Sequence, residues 1–210
     1  MKKIIPLVAV ALLSACARDG EIDQSGGIAI TRTACPAVAI PAQTGDITVF
    51  NPASSRDARA IDVTANITNL RMTCGDGGDD VVAEASFSVE ARRTNTNGAR
   101  TIELPYFVTV VRGGTVVVSK RVERVAISFA DGQARGSATA KGGAVINRAA
   151  ATLPADVRTK LTRKRRADDA DASIDPLSAP DVRAAVQRAS FELLIGFQLS
   201  ADQLQYNATR

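Results

Sequence analysis

Val81-Val82-Ala83-Glu84-Ala85-Ser86-Phe87-Ser88-Val89-Glu90-Ala91 is the stretch on which the fold of this chain turns. Val81, Ala83, Ala85, Phe87, Val89 and Ala91 recur every second residue, which puts them on one face of an extended chain and predicts a half-buried β-strand. Upstream, Ile61, Val63, Ala65 and Ile67 repeat the pattern. Their phase then slips by one at Asn69-Leu70, which predicts a bulge before Met72 and Cys74. Downstream, the turn signals Asn97-Gly98, Gly113-Gly114 and Asp131-Gly132 separate further apolar runs. The spacing predicts a four-stranded antiparallel meander over residues 81–140. Its covered middle is the 104–111 run, which is apolar on both faces. Strands near 37–40, 46–50 and 60–73 then supply a second sheet.

After about residue 150 the period changes. Pro154 suits a first helical turn, with Val157 and Leu161 one turn apart. Val182, Ala185, Val186 and Ala189 fall at helical spacing and predict a second helix over 180–189, so a helical segment spans about 154–189. Phe191, Leu193, Ile195, Phe197 and Leu199 alternate through a last strand apolar enough to be central in its sheet. Ser200 and Gln203 form a capping-box pattern, with Leu199 and Leu204 at staple positions, and predict a short C-terminal helix. The expected fold class is mainly β: an antiparallel sandwich with a small helical insertion before the last strand. Seven or so short strands and one cystine resemble the immunoglobulin-like or fibronectin-like sandwich. The Trp that antibody domains pack on their disulfide is absent.

The N-terminus carries a second kind of signal. Met1-Lys2-Lys3 is a basic start, and the apolar run Ile4 to Leu13 is too short for a permanent membrane helix, so residues 1–15 read as a signal peptide. Leu13-Ser14-Ala15-Cys16 resembles the lipobox of bacterial lipoproteins, which implies cleavage before Cys16 and acylation of its thiol and new amine. More than one acyl chain gives stable anchoring, because each buried methylene contributes about 0.8 kcal/mol and one chain alone is marginal. Residue 17 is Ala and not the Asp of inner-membrane retention, so the resemblance points to the outer membrane, facing the periplasm. Residues 16–34 are polar and Gly-containing and read as a lipid-anchored tether, with the domain at 35–210. Export lets the two remaining cysteines, Cys35 and Cys74, pair; the alternative is two buried reduced thiols. The tail Ile195-Gly196-Phe197-Gln198-Leu199 with Asp202-Gln203-Leu204-Gln205-Tyr206-Asn207 looks like that of uncharacterised alphaproteobacterial lipoproteins, a resemblance that implies no known activity.

Composition narrows the chemistry. With 210 residues, 45% hydrophobic and 23% charged, the chain is of ordinary globular make-up. Of its 26 basic residues, Lys2 and Lys3 leave with the signal peptide, so 24 face 22 acids, and nucleic acid is not an expected partner. The absence of His excludes Ser-His-Asp and Cys-His catalysis and His-based metal sites. Gly77-Gly78-Asp79-Asp80 superficially resembles the turn of diguanylate cyclases, but an exported chain without nucleotide reads it as a solvated turn. Asp169, Asp171, Ser173 and Asp175 alternate oxygen donors, yet a Ca²⁺ loop would need Gly and Glu where Ile174 and Pro180 stand. The basic run Arg163-Lys164-Arg165-Arg166 is short and balanced by those acids. Ser119-Lys120 are strand neighbours pointing to opposite faces, and Ser137 with Lys141 has no motif around it. Nothing pairs two of Glu84, Glu90, Glu103 and Glu123 in a cleft. No catalytic, cofactor-binding or metal residue is assigned, and no cofactor is expected. The expected role is non-enzymatic: an outer-membrane lipoprotein held to the membrane by its lipid, whose domain binds another envelope protein as an interaction or assembly accessory. The alternative is a periplasmic lipid or glycan carrier.

Overall fold

The computed structural model describes residues 34–163, 169–171 and 173–209. The signal peptide, Cys16, nearly all of the tether and Lys164 to Arg166 lie outside the described residues. Eight strands form two four-stranded sheets packed face to face, the sandwich that the alternation predicts. One sheet has the order β2 (Asp46–Phe50), β3 (Ile61–Gly77), β4 (Asp80–Arg93), β7 (Arg135–Asn147). The other runs β1 (Ala37–Ala39), β8 (Phe191–Phe197), β5 (Arg100–Arg112), β6 (Val116–Phe129). Every pairing is antiparallel except β1 with β8.

The deciding stretch behaves as its period requires. Val81, Ala83, Ala85, Phe87, Val89 and Ala91 are all buried against Leu104, Tyr106, Val108 and Val110 of β5 and Leu193, Ile195 and Phe197 of β8. Full burial of each larger apolar side chain contributes roughly 1.5–3 kcal/mol. The two sheets pack closely where β7 offers Gly142, since a Cβ there would sit 2.6 Å from Val108 Cγ2. The register of β3 against β4 slips between Thr68 and Arg71, with Asn69 at φ 51°. That bulge moves the inward phase from odd to even positions. Leu70, Met72 and Cys74 therefore turn to the core, and Cys74 reaches Cys35 in a disulfide with Cα atoms 6.1 Å apart.

The meander is corrected. Of these three turn signals Gly113-Gly114 alone turns a hairpin, from β5 to β6; Asn97-Gly98 and Asp131-Gly132 carry the chain from one sheet to the other, so β4 pairs with β3 and β7 rather than with β5. The reason lies in Arg93, at the end of β4 and only 2% exposed. Its guanidinium donates to the carbonyls of Thr96, Gly98, Ala130 and Gln133, each at 2.8 Å, and stacks 5.3 Å from the Phe129 ring. Both crossing loops are thereby wrapped around one cation, which alternation and turn residues do not encode. The 104–111 run is central as expected, between β8 and β6, and the segment near 37–40 joins this sheet rather than the other.

The helical insertion consists of α1 (Arg148–Ala151), α2 (Ala155–Thr162) and α3 (Pro180–Ala189). Val157, Val182 and Ala185 make a small core of their own with Leu153, Leu161 and Leu177 around it. Gly113 N–H donating to Ser190 O and Arg112 Nε donating to Arg188 O tie the insertion to the β5–β6 hairpin. The C-terminal helix α4 (Ala201–Thr209) opens on a reciprocal capping box: Ser200 N–H donates to Gln203 Oε1 at 3.0 Å, and Gln203 N–H to Ser200 Oγ at 3.2 Å. No helix among the described residues is long and apolar enough to cross a membrane.

Candidate functional site

The chemistry-bearing residues singled out in the sequence stay apart. Gly78, at φ 75°, turns β3 into β4, and Arg148 clasps that turn through the carbonyls of Gly78 and Asp80. Ser137 and Lys141 share the outer face of β7 four residues apart, about 13 Å along a strand. Lys141 is instead paired with Glu84 at 2.9 Å. Glu90 lies six residues from Glu84 on the same outer face of β4, roughly 20 Å away. Glu103 pairs with Arg124 at 3.4 Å, and Glu123 accepts from Tyr106 Oη at 2.8 Å. Asp171 is held by Arg163, and Asp175 caps the turn at Leu177 N–H. Ser119 and Lys120 are separated by the strand itself, with Lys120 Nζ 5.2 Å from the centroid of Phe107 on the outer face. Among the described residues no group of three or more acidic or cysteine side chains gathers to hold a metal. Two shallow depressions have volumes of about 300 and 170 Å³. The larger is a polar dish around Thr64, Asn66, Glu90 and Arg135.

The distinctive feature is how the sandwich treats its four sheet edges. An edge strand offers a row of backbone donors and acceptors to any extended chain, and proteins cover or blunt such rows. β1 is only three residues long and lies beside the disulfide. β2 is covered by α4: Asn207 Nδ2 donates to the carbonyls of Gln43 and Asp46, both at 2.8 Å, Gln203 Nε2 donates to Thr48 O, and Tyr206 meets Phe50 edge to face at 5.2 Å. The edge of β7 is capped at two carbonyls from the opposite sheet: Arg121 donates to Gly143 O at 2.6 Å, and the single Tyr106 O–H is shared between Lys141 O at 2.9 Å and Glu123 at 2.8 Å. Burial above all, then the bond to Glu123, holds the Tyr106 phenol well above its ordinary value, so it remains a donor.

β6 receives no such cover. Among the described residues it pairs with β5 on one side and with no strand on the other, and its first nine residues, Val116 to Arg124, are all exposed. Val116, Val117, Val118 and Val122 are 54–61% exposed. The register with β5 slips between Val110 and Val111, which face Ser119 and Val117 and leave Val118 as the extra residue. From there the strand is regular. Ser119, Arg121 and Glu123 lie opposite the inward residues Val110, Val108 and Tyr106 and face the seam between the sheets, while Lys120, Val122 and Arg124 lie opposite Thr109, Phe107 and Pro105 on the outer face. Phe107 lies flush against β8 because residue 196 is Gly, where a Cβ would come within 2.9 Å of Phe107 Cζ. The arrangement can do one thing chemically: extend its sheet, through backbone hydrogen bonds, with a chain whose side chains suit an apolar and basic row.

Sequence reasoning placed β6 but not its exposure. Its signal was present in Val116-Val117-Val118-Ser119-Lys120-Arg121-Val122-Glu123-Arg124, where clean alternation fails and charge crowds a strand. No protein family, curated protein or solved structure matches the chain.

Proposed function

We propose that the protein is an outer-membrane lipoprotein, anchored through acylated Cys16, whose sandwich acts without catalysis as an interaction or assembly accessory for another envelope protein. The observation that carries this reading is the open, valine-rich edge of β6 on a sandwich whose other edges are short, covered by a helix or partly capped by side chains. The Cys35–Cys74 disulfide accords with export. The lipobox and the tether length accord with a domain working near a membrane surface. A carrier role has weaker support, because open dishes of about 300 and 170 Å³ would leave most of a lipid or glycan in water.

The test is capture of the lipidated protein from crosslinked envelopes, comparing the natural chain with a Val118→Glu variant. A protein partner recovered reproducibly with the first and depleted with the second supports the reading. Turnover of an envelope substrate by the purified chain, with no stable protein partner, overturns it. Replacing Cys16 by Ala is expected to leave an unlipidated precursor with altered membrane fractionation.

A further inference from the structure

The chemistry of the β6 edge specifies its occupant more closely than "a partner protein". Lys120, Val122 and Arg124 project from the outer face at every second residue, about 7 Å apart. A strand added to the edge would set its own side chains opposite these at about 4.5–5.5 Å. Lys120 has no carboxylate within ion-pair distance among the described residues and rests on the Phe107 ring. Arg124 shares Glu103 at 3.4 Å, but both side chains are more than half exposed, so that pair is readily exchanged for another carboxylate. On the seam side, Arg121 is committed to Gly143 O and Glu123 to Tyr106, so recognition falls to the outer row. Val116 to Arg124 as a whole carries three cations against one carboxylate.

We infer that β6 takes up an extended partner segment of the pattern acid, any residue, β-branched apolar, any residue, acid, hydrogen-bonded as a fifth strand with its acids opposite Lys120 and Arg124 and its apolar residue opposite Val122. This deepens the proposed function and rests on it. A second copy of this chain is a poorer occupant. β6 paired antiparallel with itself about Val122 sets Lys120 against Arg124 at both ends, and the bulge at Val118 interrupts a flat edge.

The test uses the purified full chain and two labelled ten-residue peptides, one centred on Glu-Thr-Val-Thr-Glu and the other on Lys-Thr-Val-Thr-Lys, followed by fluorescence anisotropy at low salt. The acidic peptide is expected to bind at least about tenfold more tightly, a difference of about 1.4 kcal/mol spread over two charge pairs. Exchanging Lys120→Glu together with Arg124→Glu is expected to reverse the preference, and amide exchange is expected to slow along β6 and nowhere in the other sheet. If the doubly reversed chain melts early, Lys120→Gln with Arg124→Gln replaces it and is expected to erase the preference. Absence of binding, a preference indifferent to the exchange, protection at another strand, or self-association through β6 would each overturn the inference. An envelope partner still captured by the charge-reversed chain would leave the proposed function standing while this inference fails. Absence of any captured partner from the natural chain would remove the reading beneath it.

Discussion

Replacing Arg93 by Met keeps an unbranched stem in the core and deletes the guanidinium that holds both crossing loops. The four carbonyls it serves are not equal. Thr96 O also accepts from Gly132 N–H and Ala130 O from Gln133 N–H, so each keeps a partner; Gly98 O and Gln133 O have no other donor among the described residues. Both belong to exposed loop residues and turn to water on losing the guanidinium, a loss of about 0.5–1.5 kcal/mol each. Loss of the cation stacked on Phe129 adds about 1 kcal/mol. The expected loss is therefore about 2–4 kcal/mol, a sizeable share of the ~5–15 kcal/mol that stabilises a domain. For a domain of this size that lowers the melting temperature by roughly 4–16 °C. Urea unfolding followed by circular dichroism measures it, with Arg93→Lys alongside. The lysine reaches fewer carbonyls in a fixed geometry and should fall between the natural chain and Arg93→Met. A loss below about 1 kcal/mol for Arg93→Met would refute the assignment of Arg93 as the clasp of the crossing loops.

Reduction of the disulfide, or Cys74→Ser, releases a loop of 39 residues and is expected to cost roughly 3–4 kcal/mol, read as a lower denaturation midpoint in the presence of reductant. The bidentate bonds from Arg100, both 2.7 Å, hold the Asp62 carboxyl below its ordinary 3.8, so the stability they supply is complete above the unfolded value and lost as pH falls through the lowered folded one. Asp62→Asn should flatten the acid limb of stability below about pH 4, measured by melting across pH 2–6. Tyr106→Phe removes the one O–H shared by Glu123 and Lys141 O and should cost about 1–2 kcal/mol. In the natural chain the Tyr106 phenol stays protonated past its ordinary 10, and its contribution is lost as pH rises above that value; ultraviolet titration checks this.

Much of the fold was written locally. Period two from Val81 to Ala91, the slip at Asn69-Leu70, the helix at 180–189 and the Ser200–Gln203 box each depend on residues within a few positions of one another, and each is present. What was not legible is which strand lies beside which. A turn at Asn97-Gly98 reverses the chain whether the next strand pairs or crosses, and the choice is made by Arg93 acting on residues up to 40 positions away. The edge of β6 was hidden for the same reason. Which edges are covered depends on α4 lying on β2 and on Tyr106 and Arg121 reaching β7, contacts between distant residues that leave β6 with no strand paired to its outer side among the described residues.

The proposal that β6 is the surface by which this protein meets another can be put to a photo-crosslinking residue at Val118, with a control at Thr73 on the outer face of the other sheet. After irradiation of intact envelopes, a discrete adduct of defined mass is expected from position 118 and none from position 73. Adducts alike at both positions, or from position 73 alone, would contradict it.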